Sequence, residues 1–292
     1  MHELEYDADP EAGSARSLGE DVVGLIVPDI TNPFFAQLAK HIEMEAALRG
    51  IMVMLSNSHE DPAIERKQIK AMYDRSISGI IVVSTSDASL PFSTDIPIVS
   101  VDRRYGSYPL VTTDQWHGSG MLAEHLHGLG HRHMAYIAGP LETEVARQRR
   151  DGFVARVEAL SRPEDPIEMT VQSGPFDSET GEAIGREILL SVRKGGRITA
   201  IATSCDQQAI GVLRCARDLG VHVPQDVSVI GFDDIAMASL VVPRLTTLRQ
   251  PIEDLASGAL ERVLSETGFT TDYAIRGSLV IRESTAPPSE WS

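Results

Sequence analysis

Short, continuous runs of β-branched and aliphatic residues alternate with longer amphipathic stretches along nearly the whole chain. Runs at 22–27, 51–55, 79–83 and 98–101 predict buried strands, and stretches at 33–49, 62–75 and 115–129 predict the helices among them. The pattern resumes with strands at 134–138, 167–171, 198–203 and 227–232, separated by helices at 143–160, 178–193 and 206–219. A strand that is apolar along its whole length has both faces covered, and strands joined through helices pair in parallel. The fold class is therefore α/β. Eight strands exceed what one small sheet needs, and Gly139 and Pro140 interrupt nothing long enough to be a flexible linker. Two closely connected lobes, each a parallel sheet with helices on both faces, fit this better than separate beads. A closed eight-stranded barrel is the competing architecture.

Composition narrows the function classes. Of 292 residues, 42% are hydrophobic, enough for a sizeable core. Lys and Arg total 26 against 42 Asp and Glu, a net charge of -16, which disfavours binding of DNA phosphates by this chain alone. No run approaches the roughly 18 apolar residues of a membrane span, and no basic segment followed by an apolar one opens the chain. A cytoplasmic protein is expected. Cys205 and Cys215 lie ten residues apart near an expected helix, off a shared face, and read as reduced thiols. Residues 1–20 carry six carboxylates against Arg16 alone and read as a solvated leader.

In an open parallel sheet the ligand crevice lies beyond the carboxyl ends of the strands. The residues that follow the expected strands are polar: Asp29, Ser56 and Asn57, Ser84 to Ser86, Asp102 and Arg103, Gln172, Asp206, and Asp233 with Asp234. Loops are polar anyway, so the signal lies in the set and not in any one residue. Phe34 is sharper. Asn32 and Pro33 make a good helix start, after which Phe35, Leu38, Ala39, Ile42 and Ala46 share an apolar face while Phe34 falls with Gln37, His41 and Glu45 on the polar one. A phenyl ring outside the core stripe either stacks on a sugar or base at the mouth of a crevice, or packs on a neighbouring loop.

Signatures of enzymes are weak. Gly118-Ser119-Gly120 lacks the third glycine and the placement after a strand that a dinucleotide site requires, and neither a Walker loop nor a Gly-x-Ser-x-Gly elbow occurs. No cofactor is expected. His125, His127, His131 and His133 straddle an expected helix end, where imidazole also suits the helix dipole, and no third carboxylate completes a metal site. The run from Arg147 to Arg150 is too short for nucleic acid and reads as a solvated helix start, from which one arginine can turn inward as a fork of donors.

These residues sit inside longer motifs. The stretches 23–35 (VGLIVPDITNPFF), 129–140 (LGHRHMAYIAGP), 223–234 (VPQDVSVIGFDD) and 243–251 (PRLTTLRQP) resemble the lactose-repressor (LacI/GalR) family of bacterial transcription regulators. The resemblance runs over about residues 21–285 and concerns the family's effector-binding part, which shares the fold of type I periplasmic sugar-binding proteins. It implies an amino-terminal lobe of residues 21–114 and 250–279, a carboxyl-terminal lobe of 115–249 and 280–292, and three chain crossings as the hinge. Carried over by position, it implies ligand contacts at Phe34, Phe35, Asp102, Arg149, Phe176 and Asp233, with Asp206 close by. Cys205 stands where many sugar-responsive members have asparagine. Of the family's helix-turn-helix headpiece, only residues 3–10 and 14–18 resemble its end and the hinge helix, so the chain is expected to be a shortened form or a sensor that does not itself touch DNA.

The resulting expectation is the effector-sensing part of a repressor-like regulator. A small polar metabolite, a sugar ahead of a purine, closes the lobes and alters the spacing of paired amino termini in a homodimer. Operator DNA is reached only through a headpiece missing from this chain. No enzymatic activity, cofactor, metal or membrane partner is expected. A solute-binding protein of a sugar transporter uses the same cleft and is the alternative, while an enzymatic reading rests only on carboxylates in a crevice.

Overall fold

A computed structural model describes residues 22–85, 95–265 and 270–289. The expected leader at 1–20, Ser86 and residues 290–292 lie outside them. The chain starts with β1 (Val22–Val27), α1 (Pro33–Ala47), β2 (Met52–Asn57), α2 (Pro62–Tyr73), β3 (Gly79–Val82), β4 (Ile98–Val101) and β5 (Leu110–Thr113). It continues through α3 (Gln115–Gly128), β6 (His133–Ala138), α4 (Glu144–Leu160), β7 (Glu168–Ser173), α5 (Ser178–Arg193), β8 (Ala200–Thr203), α6 (Asp206–Leu219) and β9 (Ser228–Asp233). Then come β10 (Thr246–Arg249), α7 (Ile252–Val263), β11 (Tyr273–Ile275) and β12 (Ser278–Val280).

Two six-stranded sheets result, in the orders β11-β5-β4-β3-β1-β2 and β12-β10-β9-β8-β6-β7. Replacing β1–β5 by β6–β10 turns one order into the other, so the lobes repeat a topology. Pairing is parallel throughout the described ladders except between β10 and β12. Both sheets are open, which excludes the barrel. The chain passes between sheets after β5, after β10 and between β11 and β12.

Local chemistry explains the helix starts. Asn32 Oδ1 accepts from the Phe34 N–H at 3.0 Å and Pro33 occupies the first turn of α1, while Asp61 and Pro62 do the same for α2. At the other end of α6, Gly220 takes the left-handed conformation that terminates the helix. The first lobe is built on aliphatic contacts between its sheet, α1 and α7, including Val23, Leu25, Ile42, Leu255 and Leu260. The second has an aliphatic core on one face of its sheet and an aromatic one on the other, where the rings of Tyr136 and Phe153 stack at 4.6 Å beside Phe232.

The expectations for 51–55 and 167–171 need correction. Both are edge strands, displaced by about a residue, and neither is buried: Met52, Met54, Leu55 and Val171 are exposed. An apolar run buries itself only where a sheet neighbour or helix covers it, and an edge strand lacks one neighbour. β5, β10, β11, β12 and α7 were not expected. Thr246 and Thr247 sit fully buried in β10 because Thr285, Ser284 and Asp206 satisfy their polar groups, a circumstance that local patterning does not reveal.

Candidate functional site: a pocket between the lobes

The segments leaving the carboxyl ends of β1, β4, β6, β7, β8 and β9 converge between the lobes. They line a pocket with Asn32, Phe34, Phe35, Asp102 and Arg103 from the first lobe, and Val145, Arg149, Phe176, Cys205 and Asp233 from the second. Six of the seven site residues expected from the sequence therefore meet in one place. The seventh, Asp206, lies one layer beneath.

Phe34 differs from expectation in its surroundings. It is 4% exposed and joins the first lobe's core cluster, together with Ile235 and Ile210 from the second lobe. Helical periodicity put it on a solvent face, but the second lobe covers the first turn of α1. Its ring meets Phe35 edge-on at 5.4 Å. Phe176 lies against Gly139, where a Cβ would collide with its ring. Guanidinium groups flank that ring, Arg103 at 5.7 Å and Arg149 at 5.9 Å, and Arg103 also lies 5.1 Å from the Phe35 ring. Of the arginines near the start of α4, Arg149 alone enters the pocket. Arg147 caps the carbonyls of Leu141 and Glu142, and Arg150 pairs with Asp151.

Asp102 and Asp233 occupy equivalent strand ends, after β4 and in β9, and both have positive φ, 60° and 125°. Such backbone costs about 1–3 kcal/mol per residue and persists only where surrounding contacts impose it. Those contacts form a chain. Gln115 Nε2 donates to Asp102 Oδ1 at 3.2 Å, and Arg149 Nε donates to Gln115 Oε1 at 2.8 Å. Arg149 Nη1 donates to the Ser204 carbonyl at 2.7 Å and to Asp233 Oδ1 at 3.3 Å. Gln250 Nε2 donates to Asp233 Oδ1 at 2.7 Å, and Thr113 Oγ1 donates to Gln250 Oε1 at 2.7 Å.

Burial pushes the Asp233 carboxyl above the usual carboxylate range, and the Arg149 charge and the Gln250 donor pull against it. Burial and the neighbouring Asp233 charge likewise raise the Asp206 carboxyl well above the usual carboxylate range. Its oxygens accept from the Thr247 hydroxyl and the Ile235 N–H, in space left by Gly231. It supports the floor of the pocket. Burial and the Asp233 charge push the Cys205 thiol up, so the pocket-lining sulfur stays protonated at neutral pH. Both cysteines are free and buried.

Among the described residues, no group of three or more His, Cys, Asp or Glu side chains could hold a metal. The histidine patch instead anchors the carboxyl-terminal segment. The His131 ring bonds Thr199, Ser228 and the Ala286 carbonyl, and His125 bonds Thr285. Burial lowers His131 to about 4. No helix among the described residues is long and apolar enough to cross a membrane.

Sequence reasoning did not single out Asn32, Arg103, Gln115 or Gln250 as site residues. Arg103 had the signal, since it follows Asp102 at a strand end. Gln115 and Gln250 lie at chain crossings, which periodicity does not mark.

A pocket framed by the carboxyl ends of two like α/β lobes defines a two-lobed small-molecule receptor. Residues 123–285 match the family described as periplasmic binding protein-like domain. The ribose operon repressor of Halalkalibacterium halodurans is 32% identical over 294 residues, spanning 98% of this chain and 86% of that protein. GalR of Salmonella typhimurium strain LT2 is 29% identical, over 99% and 86%. The crystal structure of a periplasmic binding protein/LacI transcriptional regulator from Alkaliphilus metalliredigens, complexed with D-xylulofuranose, superposes with a TM-score of 0.79 at 29% identity, covering 91% of this chain and 99% of that one. The dimeric Lac repressor, at 22% identity and a TM-score of 0.80 over 92% and 100%, shows the same fold. The chain belongs to the LacI/GalR family of transcriptional regulators and carries that family's effector-binding core. By name, the Halalkalibacterium and Salmonella relatives are an operon repressor and a transcriptional regulator.

Proposed function

We propose that the pocket binds a monosaccharide of pentose size and that its occupancy sets the geometry of a homodimer that controls operator DNA. The observation that carries this reading is the convergence of Asp102 and Arg103 from one lobe with Arg149 and Asp233 from the other, between the rings of Phe34, Phe35 and Phe176. Carboxylates accept from hydroxyls, guanidinium forks donate to them, and aromatic faces stack on the C–H face of a sugar ring. Relatives support the size. A LacI family regulator from Enterococcus faecium, 26% identical with a TM-score of 0.76, has been solved with bound ribose.

In this reading Phe34, Phe35, Asp102, Arg149, Phe176 and Asp233 contact the sugar, and Asp206 buttresses Asp233. The lobe built on the first sheet moves against the lobe built on the second, which β12 joins from Ser278 onward rather than from residue 280. The sugar acts through its differential affinity for the open and closed states, on a scale of about 1–3 kcal/mol. Exposed Met44, Leu48, Met52, Met54 and Leu55 on the first lobe, and Met237, Leu240 and Val242 on the second, are apolar surface that a second copy would cover. DNA contact, in the cytoplasm, is left to a headpiece of the kind the family carries, since a sequence of net charge -16 repels phosphates.

Titration calorimetry with D-ribose, D-xylulose, D-glucose and adenine tests this. Pentose binding that is lost in Asp233→Ala and weakened in Phe34→Ala is the expected result. Binding of adenine alone, or pentose binding indifferent to both substitutions, refutes it. Sedimentation should show a dimer.

A further inference from the structure

Gln115 opens α3, immediately after the chain leaves the first sheet, and is 1% exposed. It lies outside the pocket lining, yet it touches a pocket residue from each lobe. Its Nε2 donates to Asp102 Oδ1 at 3.2 Å and to Thr112 Oγ1 at 3.4 Å, while its Oε1 accepts from Arg149 Nε at 2.8 Å. Only one amide orientation satisfies this arrangement. Flipped, the carbonyl would face the Asp102 carboxylate and the NH2 would face the guanidinium, so the neighbouring charges polarise the amide and lock it.

We propose that Gln115 is a positioning residue that ties Asp102 of the first lobe to Arg149 of the second and so aligns the two halves of the effector pocket. The proposal rests on the reading of this pocket as the effector site. An intervening amide does what a direct Asp102–Arg149 ion pair would not: it holds the two side chains in register without letting them neutralise each other. Arg149 then hands the constraint to Asp233, and Gln250 returns it to Thr113 at the end of β5, closing a circuit through two of the three chain crossings. The sugar is thereby presented with a carboxylate and a guanidinium already oriented, and movement at the hinge disturbs both together.

Two variants of the full chain separate positioning from packing. Gln115→Met keeps the volume and helix propensity but loses all three hydrogen bonds. Gln115→Glu keeps the acceptor for Arg149 and sets a like charge against Asp102. Both are first checked by thermal melting. D-ribose affinity should fall about tenfold in Gln115→Met, and the same change made in an Asp102→Ala background should cost less than about threefold, because its partner is already gone. A ligand-free readout runs alongside: spin labels at Lys40→Cys on α1 and Glu187→Cys on α5 report the distance between lobes, and Gln115→Met should broaden that distribution without sugar. Wild-type affinity and distances in Gln115→Met, or equal losses of affinity in both backgrounds, overturn the proposal. If the wild-type chain binds no ribose, it is the pentose reading that fails, and the sugar-free distances alone decide Gln115, an unchanged distribution counting against it.

Discussion

At the carboxyl ends of its strands the first lobe presents Asn32, Phe34, Phe35 and the adjacent Asp102 and Arg103, whereas the second presents Arg149 and Asp233 over a layer that holds Asp206 and Asp234. The strand orders match, and each lobe turns an aspartate outward at an equivalent strand end with positive φ. The neighbourhoods do not match. In the second lobe Arg149, Arg249 and Arg282 offset the clustered carboxylates, so that side of the pocket is electrostatically organised before a ligand arrives. In the first lobe, rings that belong partly to the hydrophobic core form the wall. A repeated topology therefore supplies equivalent positions, and packing around each copy decides which positions carry charge and which carry shape.

The sharpest way to break this contrast is Arg149→Met. It leaves the Ser204 carbonyl and Gln115 Oε1 without their donor, and the Asp233 carboxylate without its cation and with the neutral Gln250 amide in its place, in a buried setting. A loss of about 4 kcal/mol in chemical denaturation is expected, together with loss of sugar binding in calorimetry. Phe34→Ala is the counterpart in the first lobe. Removal of a buried ring in edge contact with Phe35 should cost about 3 kcal/mol. Its binding should weaken while the Arg149 network stays intact, so pentose affinity falls less than in Arg149→Met.

Acidification offers a third comparison. His131 in the second lobe is held near 4, below its unfolded value, so the unfolded state binds the extra proton between about pH 4 and 6.5. Its contribution to stability, up to about 3 kcal/mol, is complete above 6.5 and disappears as pH falls toward 4. Denaturation midpoints at pH 4.5 and 7 should therefore lie closer together in His131→Gln than in the wild type. The smallest effect belongs to Glu65, buried in the first lobe with Ser84 and Thr85 as donors and raised by desolvation. A raised carboxyl has the opposite sign: the unfolded state loses its proton first, and stability declines as pH climbs above about 4.5. Glu65→Gln should flatten that decline, read as the difference from wild type between pH 4.5 and 7. Shifts of the same sign in the two variants would falsify the contrast.

Much of this frame was legible in the chain itself. The strands β1, β3, β4, β6, β8 and β9 read correctly because their residues are apolar on both faces, which only a covered parallel strand tolerates. The Asn32–Pro33 start of α1 was equally plain. Phe34 was noticed for being off the core stripe, a correct sign that something other than its own helix surrounds it, yet periodicity treats a helix as facing one core and so misjudged its burial. β10 escaped because its threonines look like loop, and the edge strands misled because their apolar side chains resemble core.

Local order along this polypeptide, where each strand and helix begins and which face is oily, follows from interactions among residues a few places apart, and such patterns are written in consecutive letters. The pocket depends on partners 13, 34 and 84 positions distant, such as Gln115 with Asp102, Arg149 with Gln115, and Arg149 with Asp233. Those distances close only when two sheets have assembled in their particular orders and the chain has crossed between them. Side-chain direction, burial and charge at Asp102, Gln115 and Asp233 are consequences of that assembly, because an electrostatic environment is created by what surrounds a group in space and not by its neighbours in sequence.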